Sequence, residues 1–400
     1  MTARRSARTR AARLGEAESR VGSARALADG LHPTTVWAFD DLDAVDAWYE
    51  GRSPDTFLYY RNGGPNPAAL EAAVADLEGA EAGVAAGSGM AAISGAFLAV
   101  AQAGDHIVSD QSVYGGTTVL LRTELARLGI ATTFVDATDP AAVAAAIRPT
   151  TKIVHVESLS NPLLRCPDLS VLAEIAHRAG AILSVDNTFA SPILLRPCEH
   201  GADIITHSLA KYLGGHSVAV GGVAVGRASI VAAARDRLIR FGGTIGAFDA
   251  WMTLQGMKTL PLRMAAHAQN GARVARALAD RADIVRVYYP GLTDHPDHVV
   301  ASRLFPDGLG GMLSFDVGSA ATARAFFAAG AEIGIPLAPS LADTRTTVSY
   351  PAGTSHRALS RHERYAIGVT DGLIRLSVGI EDADDIVADL DAALTRAKTA

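Results

Sequence analysis

The chain has 400 residues, of which 49% are hydrophobic and 20% are charged, and its formal net charge is −6. This length is enough for two domains with substantial cores, and the acidic balance argues against nucleic acid as the main partner, because nucleic-acid binding usually requires a basic surface. No run of about 18 apolar residues predicts a membrane span, and two cysteines, Cys166 and Cys198, indicate neither a disulfide framework nor a metal site.

The N-terminal part of the chain is predicted to be an arm. Residues 1–25 contain several arginines but lack the apolar stretch of a secretory signal, so we expect them to be disordered. Residues 26–66 look irregular because prolines and aromatic residues interrupt any periodic pattern. The predicted arm spans residues 1–66, and the two cysteines fit a reduced, cytoplasmic setting.

From residue 67 onwards, helical and strand patterns alternate. An amphipathic pattern predicts a helix from Pro67 that ends near Gly79, and a second, buried helix follows the stretch Gly87-Ser88-Gly89-Met90. Further strands are predicted at 106–109, 132–135, 152–156, 182–185, 203–206 and 222–225, with helices near 117–128, 140–147 and 168–179. This alternation indicates a large α/β domain over residues 67–260, with a mostly parallel mixed sheet covered on both faces.

The last third of the chain predicts a smaller domain. Helical patterns at 229–239 and 247–281 carry the chain out of the α/β domain. Strand and helix patterns then mix at 284–288, 312–316, 320–329, 373–378 and 384–397. We therefore expect an α+β C-terminal domain over residues 261–400.

Several polar side chains follow the predicted strands directly. Open α/β sheets bind their ligands at the carboxyl ends of their strands, so these side chains are candidates for a common site. They are Tyr114, Glu157, Asn161, Asp186, Ser208 and Lys211. The glycine-rich helix start at 87–90 would add backbone N–H groups that can bind a phosphate.

Lys211 allows more than one chemical interpretation. It could be a solvated loop charge, just as Asp186 could form an Asx turn and Tyr114 could be a core aromatic residue. Ser208 and Lys211 match the Ser-x-x-Lys pair of penicillin-binding proteins, but the Ser-Asp-Asn motif of that family is missing from the sequence. Gly-Ser-Gly-Met-Ala-Ala matches a nicotinamide-dinucleotide fingerprint, but no clear strand precedes it in the sequence.

The interpretation that uses the whole set is a lysine bound covalently to pyridoxal phosphate. Such a site needs an acid opposite the pyridine nitrogen and a set of phosphate ligands. Asp186 supplies the acid, 25 residues before Lys211, and Gly89, Met90 and Ser208 supply phosphate ligands. Tyr114 could stack on the ring.

Eight motifs make the sequence similar to a known family from about residue 30 to the C-terminus. They read YYRNGGPNP, GSGMAA, VYGGT, ESLSNP, VDNTFASP, HSLAKYLGGH, FDAWMTLQGMKTLPLRM and GLIRLSVGIED. The sequence resembles the Cys/Met-metabolism family of pyridoxal-phosphate enzymes, which includes cystathionine γ-lyases and γ-synthases, methionine γ-lyases and O-acetylhomoserine sulfhydrylases. The resemblance implies pyridoxal phosphate as cofactor and the type I fold of such enzymes, in which a large α/β domain carries a smaller α+β domain.

The resemblance also implies roles for individual residues. Lys211 would hold the cofactor, Asp186 would pair with its pyridine nitrogen, and Tyr114 would stack on the ring and move protons near the leaving group. The other implied cofactor contacts are Gly89, Met90 and Ser208 at the phosphate and Asn161 at the ring hydroxyl. Arg375 would bind the substrate carboxylate, with Ser340, Asn161 and Tyr114 also lining the substrate.

Two residues of the predicted arm are implied to act across a subunit boundary. Tyr59 and Arg61 would reach the cofactor phosphate of a neighbouring subunit. The resemblance therefore implies a homo-oligomer with shared sites, at least a dimer and usually a tetramer built from two such dimers.

The sequence departs from the family pattern at four positions, which are Ala210, Val218, Gly116 and Pro339. The family usually has threonine at the position of Ala210 and aspartate at that of Val218. Methionine γ-lyases typically have cysteine where this chain has Gly116, and cystathionine γ-lyases tend to have glutamate where it has Pro339. The motifs therefore match neither lyase subtype cleanly, and they do not name the leaving group.

The resulting functional expectation is a lyase that removes the γ-substituent of an L-amino acid and releases a 2-oxo acid and ammonia. The first alternative is γ-replacement, as in a cystathionine γ-synthase or O-acylhomoserine sulfhydrylase, and the second is β-elimination. A nicotinamide oxidoreductase and a non-catalytic cofactor-binding protein are the alternatives from other classes. A small amino acid is the expected substrate, with neither nucleic acid nor membrane as a partner.

Overall fold

The computed structural model describes residues 5–14, 20–21, 23–53, 55–357 and 359–399. The expectation of disorder at residues 1–4, 15–19 and 22 lies outside this range. Within it, the strands are β1 (Arg20–Val21), β2 (Ala24–Arg25), β3 (Ala82–Ala86), β4 (His106–Asp110), β5 (Ala131–Val135), β6 (Thr151–Glu157), β7 (Ile182–Asp186), β8 (Ile204–Ser208), β9 (Gly222–Gly226), β10 (Arg286–Tyr288), β11 (Met312–Asp316), β12 (Thr347–Ser349) and β13 (Leu373–Ser377).

The helices fall into long elements and short turns. The α-helices are α1 (Ala7–Ala12), α2 (Leu42–Tyr49), α3 (Pro65–Glu78), α4 (Gly89–Val100), α5 (Gly115–Val119), α6 (Pro140–Ala146), α7 (Leu169–Arg178), α8 (Ser191–Leu194), α9 (Ala228–Phe241), α10 (Ala247–Met257), α11 (Leu260–Ala279), α12 (His298–Leu304), α13 (Ala320–Ile333), α14 (Arg361–Ala366) and α15 (Ala383–Thr399). Leu120–Leu125 continues α5 as a π-helix, and 3₁₀ turns lie at Tyr60–Asn62, Pro197–His200 and Pro351–Gly353.

The N-terminal segment is more ordered than the sequence suggested. Ser6 caps α1, Ala11 is fully buried, and Arg10 forms an ion pair with Asp76 on α3. The expectation of disorder is therefore wrong for residues 7–12, because the helix buries an apolar side chain and satisfies a charge on the body of the protein. The segment 26–66 also contains helix α2, which the sequence analysis did not predict. The side chain of Asp41 caps the N-terminus of this helix.

The larger sheet has seven strands in the order β3-β9-β8-β7-β6-β4-β5. The strands from β4 to β8 run parallel, whereas β9 is antiparallel to both β8 and β3. Helices α4 and α9 pack on one face of the sheet, and α3 and α7 pack on the other. The prediction of a mostly parallel mixed sheet covered on both faces is confirmed.

Strand β3 was missed by the sequence analysis. Its residues are alanine, glycine and one valine, which have weak strand propensity outside a packed context. Gly83 in this strand lies against α3, and a Cβ atom there would come within 2.7 Å of the Glu71 carbonyl oxygen. Close packing rather than local preference therefore makes this segment a strand.

The C-terminal sheet has four antiparallel strands in the order β10-β11-β13-β12, with α13 and α15 packed together beside it. The single long helix expected at 247–281 is two helices, α10 and α11. Pro261 lies in the first turn of α11, where a backbone N–H would have no partner within the helix, so its absence is tolerated. The same proline prevents α10 from continuing through this position as one long helix. All strands of the seven-stranded sheet come before those of the four-stranded sheet in the sequence. The domain boundary at residue 260 stays a prediction.

None of the helices in the described ranges combines the length and the apolar character needed to cross a membrane.

Candidate active site

A cavity of about 500 Å3 lies where the parallel strands of the larger sheet end and helix α4 begins. The smaller sheet closes it from the other side through strand β13 and the segment that precedes β12. Nine of the sequence-predicted site residues line this cavity, namely Gly89, Met90, Tyr114, Asn161, Asp186, Ser208, Lys211, Ser340 and Arg375. Residues that are far apart in the sequence thus meet at one edge of the sheet.

Two predicted site residues lie elsewhere. Tyr59 and Arg61 precede α3 and do not line the cavity of their own chain. The Arg61 guanidinium lies over the Tyr59 ring, 5.6 Å from its centre, and the Tyr59 side chain is 42% exposed. Within one chain, the structure therefore does not bring them to the other nine.

Lys211 lies in the turn that follows β8, and its side chain enters the cavity. Its Nζ atom donates a hydrogen bond to the Ser340 hydroxyl at 2.8 Å. Burial lowers the pKa of this amine, and the nearby Arg375 charge lowers it further. A larger share of Lys211 is therefore neutral, and able to act as a nucleophile or base, than for a solvated lysine at the same pH.

The turn that carries Lys211 depends on Gly215. The Gly215 N–H donates to the Lys211 carbonyl at 2.7 Å, and its φ of +72° lies in the left-handed region that favours glycine. A Cβ atom at this position would overlap the guanidinium of Arg263, which holds the same turn through the Tyr212 carbonyl. The two-glycine sequence after Lys211 thus has a packing reason.

The shift of the Lys211 pKa gives a pH test. Because the Arg375 charge disfavours the ammonium form, Arg375→Met should raise the pKa of Lys211. The pH midpoint for labelling of Lys211 in the cofactor-free protein by an amine-selective acylating reagent, followed by mass spectrometry of the peptide, should therefore move to higher pH. Arg286→Met, an exposed arginine on β10 of the same sheet, is the control and should leave the midpoint unchanged. A midpoint that stays or falls in Arg375→Met would contradict this electrostatic account.

Two carboxylates lie side by side at the strand ends. Glu157 and Asp186 are paired positions of β6 and β7. Burial raises the pKa of both groups, and the Asp186 charge raises the pKa of Glu157 further, well above its usual range. A cation placed against Asp186 would oppose this rise and would be bound favourably.

Glu157 contributes to the site in a way that the sequence did not reveal. One of its oxygens accepts the Tyr114 N–H at 2.6 Å and the other accepts the Asn161 N–H at 3.2 Å. It therefore fixes the backbone at two predicted site residues. Its position after an apolar strand was visible in the sequence, but its partners lie 43 residues before it and in the following loop, so no local pattern assigned it a role.

The start of α4 offers a place for an anion. Ser88 caps the helix, accepting the Ala91 N–H at 3.1 Å, and the first N–H groups of a helix have no partners within it. Gly89 faces Ser208, and a Cβ atom at Gly89 would come within 3.0 Å of the Ser208 Cβ. The glycine thus keeps open a cradle bounded by backbone N–H groups and a hydroxyl.

Thr188 connects this cradle to the carboxylate and was also missed. Its N–H donates to Asp186 Oδ1 at 2.9 Å, and its hydroxyl accepts the Ser208 N–H at 2.9 Å. Thr188 and its two partners, Asp186 and Ser208, all line the cavity. A small hydroxyl residue two positions after a strand-end aspartate is common in turns, so the sequence gave little reason to single it out.

Arg375 provides a buried cation at the other side of the cavity. It lies on β13, is 6% exposed, and donates to Asn161 Oδ1 and to the Ser340 carbonyl, both at 3.0 Å. Burial lowers the pKa of Arg375 to about 10, so the guanidinium keeps its charge at neutral pH. A planar cation held in this way suits a carboxylate ligand.

Tyr114 completes the arrangement. Its ring lines the cavity and is 45% exposed. A Cβ atom at Gly116 would come within 2.5 Å of the Tyr114 ring, so glycine at this position allows the ring to lie where it does. The described ranges contain no cluster of three or more potential metal ligands. The cavity therefore combines a lysine amine with a lowered pKa, a buried acid, a helix N-terminus beside a hydroxyl, a buried guanidinium and an accessible phenol.

Comparison with known proteins agrees with this arrangement. Residues 8–395 match the family described as Cys/Met metabolism PLP-dependent enzyme. The chain is 44% identical over 345 residues to a cystathionine γ-lyase of Bacillus subtilis, covering 84% of this chain and 88% of that one. It is 39% identical over 362 residues to an O-succinylhomoserine sulfhydrylase of Pseudomonas aeruginosa, covering 90% and 89%. A crystal structure of cystathionine γ-synthase from Xanthomonas oryzae pv. oryzae in complex with cystathionine superimposes with a TM-score of 0.91 and 37% identity over 99% of both chains.

Proposed function

The chain belongs to the Cys/Met-metabolism family of pyridoxal-phosphate-dependent enzymes, and we propose that it is a lyase that removes the γ-substituent of an L-amino acid. The reaction consumes water and releases the protonated γ-leaving group, ammonia and a 2-oxo acid. The observation that carries this proposal is the convergence of Lys211, Asp186, Tyr114 and Arg375 on one cavity. Relatives of this chain include both carbon–sulfur lyases and transferases that act on sulfur amino acids or their precursors.

The side chains of the cavity fit pyridoxal phosphate. The buried Asp186 carboxylate suits a protonated ring nitrogen, the cradle between Gly89 and Ser208 suits a phosphate, and the lowered pKa of Lys211 favours the neutral amine that reacts with an aldehyde. When bound, the cofactor supplies an electron-accepting ring that stabilises negative charge developing on the substrate. We assign the phosphate to Gly89, Met90 and Ser208.

Two further residues are proposed to orient the cofactor ring. Asn161 would face the ring hydroxyl, because it lines the cavity, where its side-chain oxygen accepts from Arg375 and its backbone N–H donates to Glu157. Tyr114 would stack on the ring face, since it is an accessible aromatic side chain at the same edge. Glu157 would hold both of these residues through their backbone N–H groups.

Substrate binding is proposed to depend on Arg375. Its guanidinium would bind the α-carboxylate and thereby place the α-carbon near Lys211. The Asn161 and Ser340 contacts of Arg375 keep it oriented before substrate arrives. Ser340 also holds the Lys211 amine at 2.8 Å, so the carboxylate-binding group and the base share one anchor.

The proton transfers are proposed for two side chains. Lys211 would remove the proton from the α-carbon and then move protons at the β-carbon, a task suited to an amine whose pKa is lowered by burial. The Tyr114 hydroxyl would donate a proton to the departing γ-group. Because the mouth of the cavity leaves Tyr114 half exposed, the leaving group can depart to solvent from beside it.

The assembly is proposed to be a homo-oligomer with shared sites. Tyr59 and Arg61 do not reach the cavity of their own chain, and Tyr59, Val36, Phe241 and Phe248 are each exposed large apolar side chains. Burial of such side chains between subunits would allow the arm of one subunit to lie near the cavity of another. We propose a dimer at least, and a tetramer built from two such dimers.

The alternative function is γ-replacement, in which a thiol captures the chain after the leaving group departs. The 39% identity to an O-succinylhomoserine sulfhydrylase supports it, and the 40% identity to a cystathionine β-lyase supports β-elimination as a further alternative. The test is product identification after incubation of the enzyme with O-succinylhomoserine or methionine, with and without added cysteine. A 2-oxo acid and ammonia in both incubations support the lyase. Thioether formed in place of the oxo acid would favour the transferase.

A further inference from the structure

Three buried polar side chains form a cluster beneath the cavity. They are Glu78, the last residue of α3, Asn187, which follows β7, and His207 in β8. His207 Nε2 lies 2.7 Å from Glu78 Oε1, and the Asn187 amide donates to the same oxygen at 2.9 Å. All three side chains are at most 1% exposed.

Burial of these three polar side chains in the core is energetically unfavourable compared with apolar packing. Hydrophobic side chains fill the surrounding layer between α3 and the sheet, and a buried pair of ionisable groups usually stabilises a fold less than apolar packing would. Three atoms of the cluster have no hydrogen-bond partner among the described residues, which adds a desolvation cost. Stability alone therefore does not explain the cluster.

Two residues of the cluster are direct sequence neighbours of residues that line the cavity. Asn187 directly follows Asp186, and His207 directly precedes Ser208. The Asn187 N–H also donates to the Thr206 carbonyl at 2.9 Å, which ties the end of β7 to β8.

The second amide contact of Asn187 extends this restraint. Its side chain donates to the Leu195 carbonyl at 2.8 Å while it contacts Glu78, so it closes the turn that leaves β7. His207 is held from the same carboxylate oxygen. One residue of α3 therefore restrains both strand ends from the face of the sheet opposite α4.

We propose that Glu78, His207 and Asn187 are positioning residues that fix the spacing between Asp186 and Ser208, and thereby the affinity for pyridoxal phosphate. The inference rests on the cofactor placement proposed above. The cluster touches neither end of the cofactor itself. If either strand end were displaced, the distance between the Asp186 carboxylate and the Ser208 hydroxyl would change. Binding sites tolerate little displacement of this kind, so the affinity for the cofactor would fall.

The chain offers a matched control. His106 is an equally buried histidine in the same sheet, bonded through both ring nitrogens to Thr151 and Thr133 at 2.8 and 2.9 Å. It is the first residue of β4, at the end of the parallel strands opposite the cavity. Replacing it disturbs the sheet core without disturbing the strand ends that carry the site.

The experiment measures the dissociation constant of pyridoxal phosphate for the apoprotein of wild type, Glu78→Gln, His207→Gln and His106→Gln, together with the absorption maximum of the bound cofactor. We expect affinity to fall about 10-fold in each cluster variant, the lower end of the range for partners of metal ligands, with a changed absorption maximum. His106→Gln should keep the wild-type values, even if it lowers the melting temperature. Because Glu78→Gln keeps the shape of the side chain but replaces the carboxylate acceptor of both contacts with a weaker amide acceptor, it provides a second measurement if His207→Gln does not fold.

Wild-type affinity and spectrum in the cluster variants would overturn the proposal, and so would equal losses in His106→Gln, which would indicate general weakening of the sheet. The measurement needs no turnover. If the wild-type protein binds pyridoxal phosphate but lacks lyase activity, the proposed reaction fails while the positioning role is still tested. If the wild-type protein does not bind the cofactor, both proposals fail.

Discussion

Replacing Lys211 with alanine is expected to abolish turnover and to remove the visible absorption of the bound cofactor. The side chain carries the amine that enters the cavity, and its pKa is lowered by burial and by Arg375, so it suits both covalent binding and proton transfer. Loss of a covalent anchor and of a general base together should lower kcat on the order of a thousand-fold or more. Steady-state kinetics and an absorption spectrum of the purified variant check both outcomes.

Lys258→Ala is a suitable control for this experiment. Lys258 caps the end of α10, is not among the residues that line the cavity, and should be replaceable without loss of activity or of the absorption band. Added pyridoxal phosphate should still bind weakly to Lys211→Ala through the phosphate cradle but without a covalent bond. Wild-type turnover in Lys211→Ala would remove the basis for the proposed mechanism.

Asp186→Asn should reduce kcat by about a hundred-fold or more, with a smaller change in KM. Asparagine keeps the size of the side chain and can still accept the Thr188 N–H, so the geometry should persist while the negative charge is lost. In the proposed placement, the ring nitrogen of the cofactor would lose its anionic partner, and the ring would then be a weaker electron acceptor. Steady-state kinetics over a range of substrate concentrations separates the two parameters.

Asp110→Asn provides the matched control. Asp110 is also a buried carboxylate at the end of a parallel strand, and burial raises its pKa to about 6, but it accepts the Ala137 N–H and does not line the cavity. We expect this variant to lose some stability and to keep its kcat. Equal losses of kcat in the two variants would mean that strand-end carboxylates act on the fold rather than on the cofactor.

The fold was predictable where periodicity is strong. The parallel strands are rich in apolar residues, all but β5 end at a polar residue, and each matches the sequence prediction to within about two residues, as β6 and β7 illustrate. Strand β3 and helices α2 and α12 were missed because they are short, or rich in alanine and glycine, and gain their conformation from packing against other elements. Helix α1 was missed for a similar reason, since its order depends on contacts with α3 and α11.

The candidate site was predictable in part. Strand-end residues such as Asp186 and Lys211 could be found from local pattern because parallel strands bring their carboxyl ends to one edge. Glu157, Thr188 and the Glu78 cluster act through backbone groups or through partners far away in the sequence, and no spacing rule identifies such contacts. Arg375 was assigned only through the resemblance, because nothing in its own strand distinguishes it from an ordinary buried cation.

The central claim is that the enzyme removes a γ-substituent by moving protons at the carbons of the substrate chain. The most direct measurement is incubation of the wild-type enzyme with methionine or O-succinylhomoserine in D2O, followed by mass spectrometry and NMR of the oxo acid. We predict four-carbon 2-oxobutyrate in amounts equal to the ammonia released, with deuterium in its terminal methyl group, because the γ-carbon must gain a proton when its substituent leaves. An oxo acid that still carries the γ-substituent, or 2-oxobutyrate without deuterium in its methyl group, would contradict the account.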